Sequence, residues 1–220
     1  MGKRGPKPKG KVKIAWSSDF AYAIGLLVTD GCLYNDGRHI DLTSKDKEML
    51  VNYKKCLGID NKISQKHSSA GNRYLRVQLG DVLFYKFLLS LGLTQAKSKT
   101  IGEVKIPHRY FFDFLRGCFD GDGSSYSYYD PRWKSSFMFY LSFVSASKDY
   151  ISWLRHKILK KLKIKGYVTG DGRKFIFQLR YAKSESLKLL RKMYSRKEVV
   201  CLSRKRLKIE KMLSIIGELL

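Results

Sequence analysis

The sequence predicts an α+β protein built from two pseudo-symmetric αββαββα halves, each a curved antiparallel sheet backed by helices. One order of helix-like and strand-like segments occurs twice after residue 13, which indicates an internal repeat. Apolar and polar residues alternate in the strand-like segments, so each sheet has a core face and an outward face. A helix at the start of each half carries small residues four positions apart, which predicts that the halves join through these two helices.

The helix-like segments of the first half cover residues 18–29, 47–57 and 82–91. A strand over 39–43 follows an Asp36-Gly37 turn signal, and a hairpin covers 61–79. The second half repeats this order with helices over 110–119, 149–162 and 184–194, a strand pair over 124–144 and a hairpin over 166–179. LTSKD at 42–46 corresponds to SASKD at 145–149, and YLRVQL at 74–79 to KFIFQL at 174–179.

This repeat divides the chain into a flexible basic arm at 1–13, an N-terminal half at 14–106 and a C-terminal half at 107–220. The arm is rich in Gly, Pro and Lys and has little to bury, so we expect either contact with phosphates or a solvated tail. The segment 196–220 has no counterpart in the first half. Its pattern indicates a basic amphipathic helix that packs on the second half.

The composition favours a nucleic-acid partner. Lys and Arg total 44 against 19 Asp and Glu, a net charge of +25, and a polyanion would relieve this self-repulsion. No run is long and apolar enough to span a bilayer, and no signal peptide opens the chain, so an intracellular, DNA-associated protein without a membrane partner is expected. The four cysteines form no CxxC pair, which argues against a zinc site or a disulfide framework.

Both predicted helices of the joint carry a stripe of small residues and end in an aspartate followed by glycine. The stripes are Ala21, Gly25 and Thr29 in the first helix and Asp113, Gly117 and Gly121 in the second. We expect the glycines after Asp30 and Asp122 to be left-handed residues that end the helices. A carboxylate at the negative end of a helix is unfavourable, and two that converge require a raised pKa or a cation. Oxygen ligands favour Mg²⁺ or a similar hard divalent ion.

Two segments resemble the LAGLIDADG motif: AIGLLVTDG at 23–31 and LRGCFDGDG at 115–123. The first departs from the motif at Val28 and the second at Arg116 and Cys118, while both retain the small third residue, the eighth acid and the final glycine. The chain after the arm therefore resembles a single-chain, two-motif LAGLIDADG homing endonuclease. The resemblance implies a monomer that makes double-strand breaks in a long, nearly non-palindromic DNA target by metal-dependent phosphodiester hydrolysis, as in intron homing.

The resemblance also implies roles for particular residues. Asp30 and Asp122 are expected to hold the divalent metal, one acid for each DNA strand, whereas Asp120 is expected to be structural or to act through a neighbour. Lys45 and Lys148 occupy matching places after equivalent strands and are candidate catalytic lysines, with coincidence in a lysine-rich chain as the alternative. A basic Lys-Ser stretch at 96–100 precedes the second motif helix, where phosphate contact and a plain linker are equally compatible with the sequence.

Long polar and aromatic side chains on the outward faces of the strands and in their connections are candidate DNA-binding residues, since a β-ribbon fits the major groove. They are Arg38, Gln65, Arg73, Arg76, Gln78, Tyr126, Tyr128, Arg132, Trp133, Lys134, Arg173, Lys174, Gln178 and Arg180. An ordinary solvated sheet face is the alternative interpretation.

The acidic residues and the function of the fold have alternative interpretations. A calcium loop beginning at Asp120 is disfavoured because Ser125 stands where that loop needs glycine and Pro131 where it needs glutamate. An intron maturase that binds RNA and a catalytically silent DNA-binding regulator are alternative functions of the same fold. Retention of both Asp30 and Asp122 argues against the silent regulator, and a comparison of intron RNA with duplex DNA discriminates the maturase.

Overall fold

A computed structural model describes residues 10–67, 71–133, 135–171 and 174–220. The elements of the first half are α1 (Ser18–Asp30), β1 (Gly31–Leu33), β2 (His39–Ser44), α2 (Lys47–Leu57), β3 (Ile63–His67), β4 (Arg73–Gly80) and α3 (Val82–Leu91). Those of the second half are α4 (Phe111–Asp122), β5 (Ser124–Tyr129), β6 (Phe137–Ser145), α5 (Lys148–Leu162), β7 (Tyr167–Asp171), β8 (Ile176–Tyr181) and α6 (Lys183–Met193), followed by α7 (Ser203–Ser214).

Each half contains one four-stranded antiparallel sheet. The strand order is β1-β2-β4-β3 in the first sheet and β5-β6-β8-β7 in the second, so the second half repeats the topology of the first. This arrangement confirms the predicted α+β class with two pseudo-symmetric halves.

Local capping signals explain why several helices begin where the sequence predicts. Asp46 accepts a hydrogen bond from the backbone of α2, Asp81 accepts one from α3, and Ser147 accepts one from α5. Gly58, at φ 63°, ends α2 in the left-handed region, where glycine carries no steric penalty.

Alternation along the strands separates a core face from an outward face in both sheets. In the first sheet, Ile40 and Val77 are fully buried on the core face. Asp41 and Gln78, which pair with each other on the neighbouring strands, lie on the opposite face. In the second sheet, Leu141 and Leu179 hold the corresponding buried positions. The helices cover the core faces, which leaves the outward faces of both sheets uncovered by helices.

The ends of the motif helices differ from the expectation. α4 continues through Asp122 rather than ending near residue 119. The prediction that Gly31 and Gly123 are left-handed is wrong, because their φ angles are −82° and −77°. Glycine is required there for space: a Cβ on Gly31 would lie 2.5 Å from the Leu27 carbonyl oxygen, and one on Gly123 would lie 2.6 Å from the Phe119 oxygen.

α1 and α4 pack directly on each other through their glycines. A Cβ on Gly25 would fall on the Phe114 carbonyl oxygen, and one on Gly117 would fall on the Tyr22 carbonyl oxygen. The latter would also lie 3.1 Å from the Gly25 Cα. The two backbones are therefore in contact, with no room for a side chain between them.

The C-terminal segment contacts both halves, whereas the sequence predicted packing on the second half alone. The Asn52 amide donates to the Cys201 carbonyl at 3.0 Å, and the Ser203 backbone donates to Glu48 at 3.0 Å. Arg204 pairs with Asp46 at 2.8 Å. Asn52 and Glu48 belong to α2, and Asp46 is the N-cap of that helix. Residues 201–204 therefore connect α2 to the second half.

No helix in the ranges that the structure covers is long and apolar enough to cross a membrane.

The helix contact predicts that Gly117→Ala destabilises the fold although alanine is the better helix former by about 1 kcal/mol. The added methyl has no space against the Tyr22 backbone, and overpacking of this kind costs about 1–3 kcal/mol. Urea unfolding of this variant and of Gly102→Ala, whose Cβ meets nothing within 4 Å, measures the difference. Equal unfolding midpoints for the two variants would contradict the close helix contact.

Candidate active site at the paired helix ends

The packing of α1 on α4 brings Asp30 and Asp122 to the same end of the helix pair. The side chain of Thr29 occupies the space next to Gly121, since a Cβ on that glycine would lie 2.7 Å from the Thr29 Cβ and would fall on the Asp30 carboxylate. Thr29 also donates a hydrogen bond to Asp30 Oδ2 at 2.8 Å. The Asp30 carboxylate therefore lies against the last turn of α4, one residue before Asp122.

The two carboxylates are held where ionisation is unfavourable. Desolvation, followed by the charge of Asp122, raises the pKa of Asp30 to about 6. Desolvation also raises the pKa of Asp122, although its side chain is the more exposed of the two. Each acid ends a helix, and the negative potential of the helix end adds to this cost.

A lysine stands at the end of each motif helix. Lys97 is buried, and its ammonium donates to the Gly31 carbonyl at 2.5 Å, just beyond α1. The Lys205 ammonium donates to the carbonyl oxygens of Phe119 at 2.5 Å and of Gly123 at 2.7 Å, and it also reaches those of Asp120 and Gly121. Both ammonium groups oppose the rise in the pKa of Asp30 and of Asp122.

Burial lowers the pKa of both lysines. The pKa of Lys205 falls to about 8, against the charges of Asp120, Asp30 and Asp122, which raise it. The pKa of Lys97 is lowered for the same reason. A lysine with a pKa near neutrality can exchange a proton at Nζ under ordinary conditions.

Sequence patterns place Lys97 only within a basic stretch and do not distinguish Lys205 from the other lysines of the chain. Each follows the third helix of its half, α3 or α6, and this shared position is the signal that could have paired them. The distance along the chain from the third helix to the lysine is longer in the second half. An alignment of the two halves therefore does not place Lys97 opposite Lys205.

A cavity of about 140 Å³ opens beside the acids, between the halves. Its lining comes from both motif helices, from the linker, and from the end of β6 through the first turn of α5: Val28, Thr29, Lys97, Ser98, Ile101, Asp122, Ser145, Ala146 and Tyr150. A group that enters this space meets Asp122 and the Lys97 side chain together.

The donor set fits a hard divalent cation. Two carboxylates supply oxygen ligands of the kind that Mg²⁺ prefers, and Mg²⁺ completes its shell with water or phosphate. Across residues 10–67, 71–133, 135–171 and 174–220, no group of three or more His, Cys, Asp or Glu side chains forms a closed metal cage. Asp30 and Asp122 are therefore the residues that would hold a metal here.

Lys45 and Lys148 are not brought to the acids by any contact. Lys45 is exposed after β2, with its ammonium 5.4 Å from the centre of the Tyr74 ring. Lys148 begins α5, is exposed and lines a surface groove with Arg155, His156 and Lys165.

The residues that depart from the motif have structural partners. Arg116 is buried and donates to the Met193 and Val200 carbonyl oxygens, and it pairs with Asp113 at 3.0 Å. The Tyr150 hydroxyl lies 3.2 Å from the thiol of Cys118. Arg116 therefore fastens the chain that leads to α7 onto the second motif helix.

Asp120 serves the same attachment. Its Oδ2 accepts hydrogen bonds from the Tyr22 hydroxyl at 2.7 Å and from the Leu202 backbone at 2.8 Å. Burial raises its pKa to about 6. Asp120 thus ties α1 and the approach to α7 to α4, and it does not open towards the cavity.

The candidate DNA-binding residues divide by their place on the sheets. Arg76 and Gln78 lie on the outward face of the first sheet, whereas Gln65 and Arg73 share the face of the buried Val77 by strand register. Tyr126, Tyr128, Gln178 and Arg180 lie on the outward face of the second sheet. Arg38 and Lys174 lie in the turns before β2 and β8.

The β5–β6 connection holds two further candidates. Arg132 is engaged by Asp130 through two hydrogen bonds of 3.1 and 2.9 Å, and Trp133 is 70% exposed. Lys134 and Arg173 lie outside the described residues.

The raised pKa of Asp30 predicts that this residue lowers the free energy of unfolding by an amount that depends on pH. An unfolded chain releases the carboxyl proton near the ordinary value of 3.8, and the folded protein releases it near 6. The free energy of unfolding therefore falls as pH rises from 3.8 to about 6, and Asp30→Asn should be more stable than wild type by about 1–3 kcal/mol at pH 7.5. Urea unfolding of Asp30→Asn and of wild type should show this gain in stability at pH 7.5 and no gain near pH 4.

Asp19→Asn is the matched control, since Asp19 lies in the first turn of the same helix, where a carboxylate is favourable. An equal gain in both variants would contradict the assignment of the cost to the paired helix ends.

Comparison with known proteins identifies the fold. The model of the LAGLIDADG-like domain matches residues 17–96. The homing endonuclease I-WcaI bound to its DNA recognition sequence superposes with a TM-score of 0.63 at 13% identity, over 93% of this chain and 94% of that one. I-LtrWI bound to target DNA gives 0.58 at 13% identity, over 90% of each chain. Full-length DUF199/WhiA from Thermatoga maritima gives 0.55 at 14% identity, over 93% of this chain and 70% of that one.

No curated protein sequence matches the chain. The family match in the first half, together with the whole-chain likeness in fold, confirms the resemblance of the two motifs. Residues 17–96 match a LAGLIDADG-like domain, and the chain as a whole has the fold of the LAGLIDADG homing endonucleases.

Proposed function

We propose that this protein is a site-specific DNA endonuclease that makes double-strand breaks in a long, nearly non-palindromic target by metal-dependent phosphodiester hydrolysis. The observation that carries the proposal is the convergence of Asp30 and Asp122 at two negative helix ends. A protein that only binds DNA has no use for this electrostatic cost. Solved relatives of the fold were crystallised with target DNA, I-DmoI with DNA and manganese among them.

Asp30 and Asp122 would hold Mg²⁺ or another hard divalent ion, one acid for each DNA strand. When bound, the ion supplies a lowered pKa of a ligated water and stabilisation of the pentacovalent transition state. The side chains themselves supply fixed negative charge, and the Asp30 carboxylate is ionised above about pH 6.

The lysines at the helix ends complete each half of the site. Lys97 and Lys205 bring positive charge to a region of carboxylates and helix carbonyls, where an incoming phosphate needs compensation. Lys205, with a pKa of about 8, can hold or release a proton at Nζ near neutral pH. We assign the catalytic lysine role to this pair rather than to Lys45 and Lys148, which are exposed beyond the strand ends.

The two outward sheet faces extend the site along the DNA. One chain with two unlike halves would act as a monomer and read unlike half-sites, so the target should be long and only loosely palindromic. The net charge of +25 suits a polyanionic partner.

Cleavage of a randomised duplex library in Mg²⁺ tests the proposal. Wild type should cut one sequence reproducibly in both strands, and Asp30→Asn and Asp122→Asn should each abolish the double-strand break while binding persists. Asp19→Asn, at the far end of α1, should cut normally. Tight duplex binding without cutting in any divalent metal would overturn the nuclease and favour a regulator, whereas preference for intron RNA over duplex DNA would favour the maturase.

The lysine assignment predicts that Lys97→Met and Lys205→Met each lower the single-turnover cleavage rate by about 100-fold or more, on the scale of lost charge stabilisation or proton transfer. Lys86→Met, an exposed lysine of α3, should leave the rate unchanged. Equal rates for Lys205→Met and Lys86→Met would contradict the assignment.

A further inference from the structure

The outward faces of the two sheets differ in chemistry although the topology of the halves is the same. The first reading face includes Asp41, Thr43, Ser64, Lys66, Tyr74, Arg76 and Gln78. The second reading face includes Tyr126, Tyr128, Tyr140, Tyr167, Gln178 and Arg180. The first is organised by a carboxylate and the second by stacked rings.

On the first reading face, Asp41 is fully buried and holds two cations. Its Oδ2 lies 3.5 Å from the Lys66 ammonium and 3.5 Å from the Arg76 guanidinium, and it accepts a hydrogen bond from the Tyr34 hydroxyl at 2.8 Å. Lys66 and Arg76 remain 38% and 30% exposed, so donors are left over for an outside acceptor. Fixed Arg and Lys donors suit the two major-groove acceptors of guanine.

On the second reading face, three tyrosine rings form a continuous stack across β5 and β6. Tyr140 lies between Tyr126, at a centroid distance of 4.9 Å and 10° between planes, and Tyr128, at 6.2 Å and 8°. Tyr128 ends the stack and is 41% exposed. These rings present apolar edges and hydroxyls where the first reading face presents cations.

Arg180 supplies positive charge on the second reading face, and groups of the protein itself already engage it. The Arg180 guanidinium lies over the rings of Tyr126 and Tyr167, at 5.4 and 5.6 Å. It also donates to the Gln178 side chain at 2.5 Å and to the Tyr167 hydroxyl at 3.4 Å. Both terminal nitrogens of Arg180 are thus engaged, whereas Arg76 donates Nε to Ser64 at 3.3 Å and approaches Asp41 through one terminal nitrogen.

From this difference we infer that the second reading face recognises an A·T-rich half-site through the C5-methyl groups of thymine, whereas the first recognises guanines. Apolar side-chain atoms in the major groove contact the thymine methyl, which is the one apolar group that a base edge presents there. The inference rests on the proposed function, because it assumes that both faces lie in the major groove of one duplex.

Binding of modified duplexes to the cleavage-inactive Asp30→Asn, Asp122→Asn double variant tests the inference. The preferred target is first selected from a random library, and a second selection with Arg76→Ala added identifies the half-site of the first reading face as the one that loses its preference. Thymines of each half-site are then replaced by deoxyuridine, which lacks the methyl, and guanines by 7-deazaguanine, which lacks the N7 acceptor.

Deoxyuridine should weaken binding roughly fourfold for each contacted methyl removed in the half-site of the second reading face, and hardly at all in the other. The 7-deazaguanine should show the reverse pattern. Adding Tyr128→Ala should remove the penalty for deoxyuridine. Tyr129→Ala is the matched control, since Tyr129 is the next residue of β5, 55% exposed, with its side chain on the opposite face of the sheet, and it should retain the penalty.

A G·C-rich half-site for the second reading face, or a penalty for deoxyuridine that is equal in Tyr128→Ala and Tyr129→Ala, would overturn the inference and leave the endonuclease intact. Absence of any sequence-selective duplex binding would overturn the proposed function, and this inference with it.

Discussion

The backbone contact between α1 and α4 is the constraint on which the rest of the structure depends. Gly25 and Gly117 remove the side chains that would separate the two helices, and the last turns meet at Thr29 and Gly121. Two helix ends that approach so closely add their negative potentials, and each ends in an aspartate. The convergence of the two acids is thus a direct result of packing: the same glycines that join the halves force Asp30 and Asp122 together.

The protein compensates this negative charge only in part. Lys97 and Lys205 donate to the carbonyl oxygens at the helix ends, yet the pKa of Asp30 still lies near 6. The negative charge that remains uncompensated favours the binding of a further cation. This uncompensated negative charge at Asp30 is the physical basis of the metal site that we propose.

Lys205 reaches its place because the C-terminal segment is fastened at several points. Arg116 and Asp120 hold the chain before α7 from within the second motif helix, and Glu48 holds Ser203 from the first half. Two of these residues lie inside the second motif segment, Arg116 at a position that departs from the motif. The departure therefore has a use in this chain, since a buried guanidinium at that position bonds carbonyl oxygens that would otherwise lack partners.

The sequence by itself determined the repeat, the α+β class, the two motif helices and the acids at their ends, because periodicity, small-residue spacing and capping residues such as Asp46 and Ser147 act over a few positions of the chain. Only the tertiary structure decided which lysines stand at the acids, since Lys97 lies in the linker after α3 whereas Lys205 lies in α7, a helix without a counterpart in the first half. It also decided that Gly31 and Gly123 are extended, and that Gln65 of β3 shares a face with the buried Val77 of β4. These features depend on strand register and on contacts between distant segments, which local patterns do not fix.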